Sequence, residues 1–309
     1  MTASLAGDGV ANPANVRALH DAAAMFGIGY QAWDARRPLD GPLIAVENTP
    51  DATSVYTATL PPGLPSIVVG NERRGIRPDV LRAARLRVHI PMPGRGVNTL
   101  NVASAAAVAL YYLLDARGRR RPRPGSHRPE VLLLSPGDHV EAGSALRSAA
   151  AFGWHTVGVD DREKVWFGTP RGMRTEGRAA ARSHRNPLRV VPAGAATGFT
   201  RVVVAGADGP PLHRTDLADG PGTLLVIPDL FTVAGQDWEQ LGPAVEFARV
   251  PPSDRYRLTA SIVLAEAARQ VGSRTPGRPA RGGPRYRSAL DLVPPGEVDL
   301  LTPAELISY

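Results

Sequence analysis

The sequence predicts an α/β protein made of two related layered domains with mostly parallel sheets. Three observations lead to this prediction. Short apolar runs alternate with helical patterns along the chain. The second half repeats elements of the first half in the same order. The length of 309 residues suits two domains of ordinary size, each able to bury a core.

The first half contains the elements of one such domain. The spacing of apolar residues predicts a helix over 16–26, and a second, mostly buried helix over 102–114. Asn98 or Thr99 can cap that second helix. Short apolar runs that end in Gly, Asn or Pro predict parallel strands at residues 43–46, 66–69 and 87–90. Strand, helix and strand in series imply right-handed crossovers.

The second half repeats these elements, which predicts a tandem duplication. Residues 141–153 align without gaps with residues 15–27. Three further pairs follow in the same order: 67–72 with 224–229, 89–92 with 249–252, and 100–110 with 258–268. The second copy is longer, because it carries an insertion between its first helix and the strand at 224–229.

Two segments rich in Arg, Gly and Pro divide the chain. They read ARGRRRPRPGSHRPE at residues 116–130 and GSRTPGRPARGGPRYR at residues 272–287. This composition does not form a packed element, and it is typical of a flexible connector or of a phosphate-binding arm. We therefore expect a first domain at 1–115, a linker at 116–130, a second domain at 131–271, and a basic segment with a C-terminal tail at 272–309.

The composition excludes several classes of function. The absence of cysteine removes disulfide frameworks, thiol nucleophiles and thiolate zinc sites. The seven histidines show no metal-ligand spacing, so no metal site is predicted. Neither a Walker A sequence nor Gly-x-Gly-x-x-Gly follows a strand, and Gly-x-Ser-x-Gly is absent. The sequence therefore lacks the motifs that most strongly indicate nucleotide hydrolysis, Rossmann-type dinucleotide binding and hydrolysis by a nucleophilic serine.

The chain is basic, with a formal net charge of +7, and all but one of its 36 basic residues are arginine. This bias fits either a polyanionic partner such as nucleic acid or the codon usage of a GC-rich genome. The N-terminus lacks a charged segment followed by a long apolar segment, and the longest apolar run, at 102–114, is too short to span a bilayer. We expect a cytoplasmic protein without a membrane partner.

The candidate site residues cluster in two stretches of the first copy. The strand at 66–69 runs into Gly70, Asn71 and Glu72, which places backbone amides and a carboxylate at the carboxyl edge of a parallel sheet, where ligands bind. Gly70 permits close approach of the backbone. In the second stretch, residues 89–107, two Pro and two Gly residues force an irregular loop before the next helix.

Three segments of the first copy resemble the motifs of the SpoU branch of the SPOUT methyltransferases, which are RNA ribose 2'-O-methyltransferases. They read DGVANPANVRALHDAAAMFG, IVVGNERRG and IPMPGRGVNTLNVASAAA. The family pattern is approximately D-P-x-N-x-G-A-x-x-R-T-A-x-A-F-G, then G-N-E-x-x-G, then I-P-M with S-L-N-V-S before a helix. The last two motifs are specific in combination. The resemblance covers residues 5–114 well and residues 131–271 more faintly.

The resemblance implies a deep trefoil knot at the C-terminal end of the domain, whose loops hold S-adenosylmethionine. Knots are otherwise nearly absent from proteins. Family members dimerise through the knot region, and a tandem chain would supply that dimer internally, as a pseudo-dimer. By the same resemblance, the positions that bind the cofactor are Gly70, Asn71, Glu72, Ile90, Met92, Leu100 and Asn101.

The first copy departs from the family pattern at one charged position. Asp21 stands where the family has the arginine that helps to activate the ribose hydroxyl, so an anion replaces a cation. Thr99 keeps the hydroxyl of the family serine. The motif residues Asn15, Glu72 and Asn101 are retained.

In the second copy the pattern of losses is reversed. Arg147 stands at the arginine position, whereas Glu141 replaces the asparagine, and residues 227–229 and 258–260 replace the other two motifs. Our hypothesis is that the first copy binds S-adenosylmethionine and the second contributes Arg147 and a basic surface. The candidate catalytic residues are therefore Asn15, Asp21, Glu72, Thr99, Asn101 and Arg147.

The leading prediction for function is an S-adenosylmethionine-dependent methyltransferase, with the ribose 2'-oxygen of tRNA or rRNA as the family's usual acceptor. One alternative is a different acceptor, such as a small molecule, because Asp21 could act as a base. The other is a non-catalytic RNA-binding protein with the same fold. The best candidates for RNA contacts lie in the insertion of the second copy, where a solvated arginine-rich helix is the alternative interpretation: Arg171, Arg174, Arg178 and Arg182.

Overall fold

The structure is a computed structural model that describes residues 3–33, 39–92, 100–124, 126–170, 173, 188–193, 198–218, 222–229, 236–242, 244–272 and 299–301. The chain divides into two compact units. The first comprises Met1–Pro91, Leu100–Arg117 and Pro251–Ile262, and the second comprises the other residues. The segment Pro251–Ile262 lies far along the chain, yet it belongs to the first unit.

The first unit contains a six-stranded sheet. Its strands are β1 (Ser4–Asp8), β2 (Gly29–Trp33), β3 (Leu43–Val46), β4 (Thr53–Ser54), β5 (Ser66–Gly70) and β6 (Leu86–His89). Their spatial order is β2-β1-β5-β3-β6-β4, and every pairing is parallel. Central strands of a parallel sheet are buried on both faces, which explains the continuous apolar runs of β3 and β5.

Three helices of the described residues cover this sheet: α1 (Pro13–Ala24), α2 (Pro78–Ala83) and α3 (Val102–Leu110), which continues as a π-helical turn over Tyr111–Asp115. α1 contacts β1, and α3 contacts β5. On the sheet, Ala6, Ala45 and Val68 form a buried core with Val80 of α2. These contacts fix the loops at the ends of β1 and β5.

The cap of α3 differs from the prediction. The side chain of Asn101 accepts a hydrogen bond from the backbone N–H of Ala103 at 3.0 Å, so Asn101 is the N-cap. The prediction of Asn98 or Thr99 as the cap is therefore wrong, because the helix begins later than Leu100. Asn98 and Thr99 themselves lie outside the described residues.

The second unit contains a seven-stranded sheet. Its strands are β7 (Glu130–Leu134), β8 (Thr156–Asp160), β9 (Leu188–Pro192), β10 (Arg201–Pro211), β11 (Thr223–Pro228), β12 (Val245–Arg249) and β13 (Asp299–Leu301). Their order is β12-β10-β11-β7-β8-β9-β13, and β13 alone is antiparallel to its neighbour among these described strands. The later helices of the chain are α4 (His139–Ala151) and α5 (Tyr256–Val271).

The two sheets share a strand order. Five strands of the first sheet follow β2-β1-β5-β3-β6, and five of the second follow β8-β7-β11-β10-β12. In both, the helix after the first strand (α1 or α4) leads to the strand beside it. The predicted α/β class with mostly parallel sheets is confirmed. The tandem duplication stays a prediction, which the common order supports.

The described part of the arginine-rich linker is held in place. Arg120 and Arg123 both pair with Asp216 at 2.8 Å. The Arg269 guanidinium donates to the carbonyl of Arg120 at 2.8 Å, and the N–H of Arg123 donates to the carbonyl of Gln270 at 2.8 Å. The expectation that this composition stays unpacked is wrong here, because donors and acceptors of the second unit pair with both its side chains and its backbone.

The predicted knot depends on the loop that contains residues 93–99, and these lie outside the described residues. In the part of the chain that the structure does describe, no helix combines the length and the apolar character needed to cross a membrane.

Candidate functional site

The candidate site lies at the carboxyl edge of the first sheet, where β1 and β5 end side by side. Asp8 is in register with Gly70, so the loops after both strands begin at the same level. Ligands of parallel α/β sheets bind at this edge, because the loops that leave neighbouring strands create a crevice there.

The loop after β5 is closed by backbone hydrogen bonds. The N–H of Asn71 donates to the carbonyl of Gly75 at 3.2 Å, and the N–H of Gly75 donates to the carbonyl of Asn71 at 2.8 Å. The side-chain amide of Asn71 also donates to the carbonyl of Gly9 at 2.9 Å. The β5 loop is therefore fixed to the turn that follows β1.

Glycine is required at both ends of this closed loop. A Cβ atom on Gly70 would overlap the backbone of Gly75 and Ile76. Gly75 has a φ of 68°, in the left-handed region that favours glycine, and a Cβ there would overlap the carboxylate of Glu47. That carboxylate accepts the N–H of Ile76 at 2.9 Å. The Gly-Asn-Glu-x-x-Gly pattern is thus explained by close backbone packing.

Asn15, Glu72 and Asn101 form a continuous chain of hydrogen bonds. The amide of Asn15 donates to the carboxylate of Glu72, and the amide of Asn101 donates to the side-chain oxygen of Asn15 at 3.2 Å. Because the oxygen of Asn101 caps α3, its amide nitrogen is directed at Asn15. The structure therefore brings together the three motif residues that the first copy retains, from α1, the β5 loop and the start of α3.

A partly buried ion pair lies beneath the same edge. Asp8 is fully buried, accepts the backbone N–H of Arg77 at 2.8 Å, and lies 2.8 Å from the Nε atom of Arg77. The guanidinium also lies 5.8 Å from the centre of the Trp33 ring. This pair joins the end of β1 to the start of α2. The sequence reasoning missed it, although an Asp at the end of an apolar strand was a usable signal.

Asp21 lies on α1 and is ion-paired. The Nε atom of Arg255 donates to its carboxylate at 2.7 Å, and both side chains are about one-third exposed. Arg255 stands just before α5, where its own N–H donates to the hydroxyl of Ser253 at 3.0 Å. A guanidinium is thus present beside α1 although the motif position carries an anion. The sequence reasoning missed Arg255, because the two residues are 234 positions apart.

Two exposed cations follow Glu72 directly. Among the residues that the structure describes, neither Arg73 nor Arg74 has an ion-pair or hydrogen-bond partner for its side chain. The Arg74 guanidinium lies over Gly9, where a Cβ atom would overlap it. The closed β5 loop therefore presents two unpaired positive charges beside the carboxylate of the site. The motif letters NERRG showed both arginines, but the sequence reasoning assigned them no role.

The remaining predicted cofactor residues follow β6 and precede α3. Ile90 is buried, while Met92 and Leu100 are half-buried. Thr99 lies outside the described residues. Arg147 lies on α4 in the second unit and is half-buried. The predicted RNA-contact residues also lie outside the described residues: Arg171, Arg174, Arg178 and Arg182.

Within the described ranges, no group of three or more His, Cys, Asp or Glu side chains is placed to hold a metal ion. The side chains described above at this edge carry amides, a carboxylate and guanidinium groups.

Residues 30–111 match the model of the SpoU rRNA Methylase family. The match includes the β5 loop and the approach to α3, so the predicted resemblance to the SpoU branch is confirmed for this segment. No curated protein matches the chain.

Several solved structures are similar to parts of the chain. An AdoMet-bound rRNA methyltransferase from Sinorhizobium meliloti is 18% identical, with a TM-score of 0.30 over 36% of this chain and 55% of that one. The SpoU methyltransferase AviRb from Streptomyces viridochromogenes is 18% identical, with a TM-score of 0.35 over 67% of this chain and 74% of that one. The TrmH/SpoU tRNA modifying enzyme from A. aeolicus is 20% identical, with a TM-score of 0.29 over 36% of this chain and 72% of that one. The chain thus spans little more than half of the S. meliloti enzyme.

Proposed function

We propose that this protein is an S-adenosylmethionine-dependent methyltransferase that acts on RNA, with a ribose 2'-hydroxyl as the acceptor. The observation that carries the proposal is the hydrogen-bonded chain of Asn15, Glu72 and Asn101. It joins residues of all three predicted motifs, and two of them lie within the segment that matches the SpoU rRNA Methylase family.

The residues at this edge fit the proposed cofactor. Leu100 is apolar and half-buried, as suits a neighbour of the adenine ring, and the closed loop from Gly70 offers backbone groups for the polar parts. The carboxylate of Glu72 suits a ligand with a positive charge. When bound, the cofactor supplies a methyl group on a sulfonium ion.

The chain's own contribution is to hold the acceptor hydroxyl. Asn15 donates to one oxygen of Glu72, and Asn101 in turn fixes Asn15, so the carboxylate has a defined orientation at an exposed position. We assign Glu72 as the group that accepts the hydrogen bond of the acceptor hydroxyl, which must lose its proton when the oxygen is methylated.

Arg73 and Arg74 support a phosphate-bearing acceptor. Each ribose in RNA is flanked by phosphates, so a site that receives a 2'-hydroxyl also receives negative charge within a few ångströms. Two exposed guanidinium groups without partners among the described residues meet that need, and the net charge of +7 adds a favourable long-range field.

The pairing of Asp21 with Arg255 bears on the small-molecule alternative. That alternative used Asp21 as a base, but its carboxylate is engaged by a guanidinium at 2.7 Å. The ribose acceptor is therefore the better supported assignment. The contribution of Arg147 and the tandem arrangement stay predictions within this proposal.

Two measurements test the proposal. Calorimetric titration of S-adenosylmethionine into the full chain is expected to give one binding site, and tritium from a labelled methyl group is expected to enter RNA. Nucleoside digestion and mass spectrometry then locate the methyl group on ribose or base.

Gly70→Ala is the diagnostic variant, because a Cβ there overlaps the closed loop, and it should weaken cofactor binding. Gly29→Ala is the matched control, since a Cβ at that strand position meets nothing within 4 Å. Cofactor binding without transfer to RNA would favour another acceptor. Salt-sensitive RNA binding without any cofactor binding would favour a non-catalytic protein.

A further inference from the structure

The second unit contains a cavity of about 410 Å³ at the carboxyl edge of its sheet. β8 and β9 are parallel there, with Val159 in register with Pro192, so the loops that leave the two strands begin side by side. β9 lies within the insertion of the second copy, and β2, which holds the place of β8 in the first sheet, is an edge strand. The insertion therefore completes this crevice. Five of its lining residues carry a charge or an aromatic ring: Asp160, Asp161, Arg162, Lys164 and Phe167.

The loop after β8 holds Phe167 at the surface. The carboxylate of Asp161 accepts the backbone N–H groups of Trp166 at 3.1 Å and of Phe167 at 2.7 Å. Trp166 is fully buried, whereas Phe167 beside it is 36% exposed. The aromatic ring of Phe167 is thus presented by an ordered backbone, so a flat ligand that stacks on it does not have to order the loop first.

Lys164 lies in the same loop, in a backbone conformation that favours glycine. Its φ is 54°, its N–H donates to the carbonyl of Asp161 at 3.0 Å, and its carbonyl accepts the N–H of Gly168 at 3.1 Å. A side chain in this left-handed region destabilises the fold relative to glycine. The ammonium group of Lys164 has no ion-pair or hydrogen-bond partner among the described residues. The loop therefore keeps a cation at a strained position where it stabilises nothing in the described chain.

The other charges that line the cavity are already engaged. The carboxylate of Asp160 lies 3.0 Å from the Nε atom and 2.9 Å from the Nη2 atom of Arg162. The carboxylate of Asp161 is held by the two backbone N–H groups of its own loop. The ammonium group of Lys164 is thus the charge that remains to be neutralised, and an anionic oxygen is the partner that suits it.

We propose that this cavity binds one unpaired nucleotide of an RNA chain, with the base stacked on the ring of Phe167 and an adjacent phosphate held by the ammonium group of Lys164. Bases of any sequence stack on aromatic side chains, and proteins that bind single-stranded RNA combine such rings with cations. A cavity of about 410 Å³ has the size of a small-ligand site. The inference rests on the proposed function in so far as that names RNA as the partner, but binding can be measured without methyl transfer.

The first test measures the affinity of the full chain for a fluorescein-labelled, single-stranded oligouridylate by fluorescence anisotropy. Phe167→Leu keeps an apolar side chain but loses the stacking surface, so it should weaken binding about tenfold. Met173→Leu is the matched control, because Met173 is also exposed, at 58%, but does not line the cavity. Equal affinities of these two variants, or no binding by the unmodified chain, would overturn the proposal.

Lys164→Gly separates the phosphate contact from the stability of the fold. Glycine relieves the left-handed backbone, so the midpoint of thermal unfolding should rise. RNA binding should nevertheless weaken, and the slope of log affinity against log salt should fall by about 0.7, the value for one phosphate contact of a single strand. Lys164→Arg keeps the cation and should keep the slope. An unchanged salt slope in Lys164→Gly would contradict the proposed phosphate contact.

Two further measurements identify the ligand and its place. Ultraviolet cross-linking of the oligouridylate, followed by mass spectrometry of the peptides, should attach uridine to the peptide that contains Phe167. Cross-links confined to other peptides would overturn the proposal. Uridine monophosphate should bind much more weakly than the oligouridylate. If it binds equally tightly and with the same dependence on Phe167, the site belongs to a free nucleotide, and the assignment to RNA is wrong.

The proposed function and this inference can fail separately. If the unmodified chain neither binds S-adenosylmethionine nor transfers methyl groups, the proposed function fails, yet the oligouridylate titrations still decide whether the cavity binds RNA. If the chain methylates RNA while Phe167→Leu and Met173→Leu bind the oligouridylate alike, the inference alone fails.

Discussion

The carboxylate of Asp21 and the Nε atom of Arg255 lie 2.7 Å apart, although 234 positions separate the two residues in the sequence. Arg255, which follows β12, thus places a guanidinium beside α1, where the family motif carries an arginine. Both side chains are about one-third exposed, so the pair is solvated and its contribution to stability is small, about 0.5 kcal/mol.

A charge exchange tests this pair. Asp21→Arg alone places two cations together and should reduce both stability, by about 1 kcal/mol, and methyl transfer. The double variant Asp21→Arg with Arg255→Asp should recover most of both losses, because the two charges are again opposite. Urea unfolding and transfer assays of the single and double variants give the coupling energy. Additive effects would show that the two residues act separately.

Asn101 performs two tasks that substitutions can separate. Its oxygen caps α3 and its amide donates to Asn15. Asn101→Ala removes both and should destabilise the protein by about 1 kcal/mol. Asn101→Asp keeps the capping oxygen but loses the donor, so it should retain more stability while losing methyl transfer as severely. Urea unfolding measures the first effect and the transfer assay the second. Full activity in Asn101→Asp would remove the hydrogen-bonded chain from the mechanism.

Gly75 and Gly27 form a matched pair for the closed loop. Their φ angles are 68° and 64°, but a Cβ on Gly75 would overlap Glu47, whereas one on Gly27 meets nothing within 4 Å. Gly27→Ala should cost about 1 kcal/mol from backbone conformation alone. Gly75→Ala should cost more and should also weaken S-adenosylmethionine binding. Similar unfolding energies and binding constants for the two variants would contradict the role given to the loop.

Arg73 and Arg74 are expected to contact RNA phosphates. The double variant Arg73→Glu with Arg74→Glu should weaken RNA binding and reduce the slope of log affinity against log salt by about 1 for each lost contact. Cofactor binding should be unchanged. The control is Arg82→Glu with Arg85→Glu, since these arginines are also exposed but stand before β6, at the opposite edge of the sheet. Equal salt slopes for both double variants would place RNA elsewhere.

Strands that depend on a local apolar pattern could be predicted from the sequence. The predicted strand at 43–46 coincides with β3, and the strand at 66–69 differs from β5 by one residue, because each is a short apolar run with a clear stop. β1 has the sequence SLAGD, which contains too few large apolar residues to stand out. Its assignment as a strand depends on its parallel pairing with β5, which is a tertiary feature.

The site was predictable where it depends on motif residues, and not where it depends on tertiary partners. The motifs named Asn15, Glu72 and Asn101, and the structure adds their hydrogen bonds. The pairing of Asp21 with Arg255 depends on how distant segments meet in space, which no local spacing encodes. The arginines of the linker were misjudged for the same reason, since Asp216 lies far along the chain.

The grouping of Pro251–Ile262 with the first unit sets a condition on the order of folding during synthesis. The elements from β1 to α3 are translated before the rest of the described chain, and a domain confined to them could fold as soon as it left the ribosome. This unit cannot become complete then, because Arg255 has not yet been translated. Asp21 gains its partner only after 234 further residues have been translated, and a chain truncated after Arg117 would have an incomplete first unit.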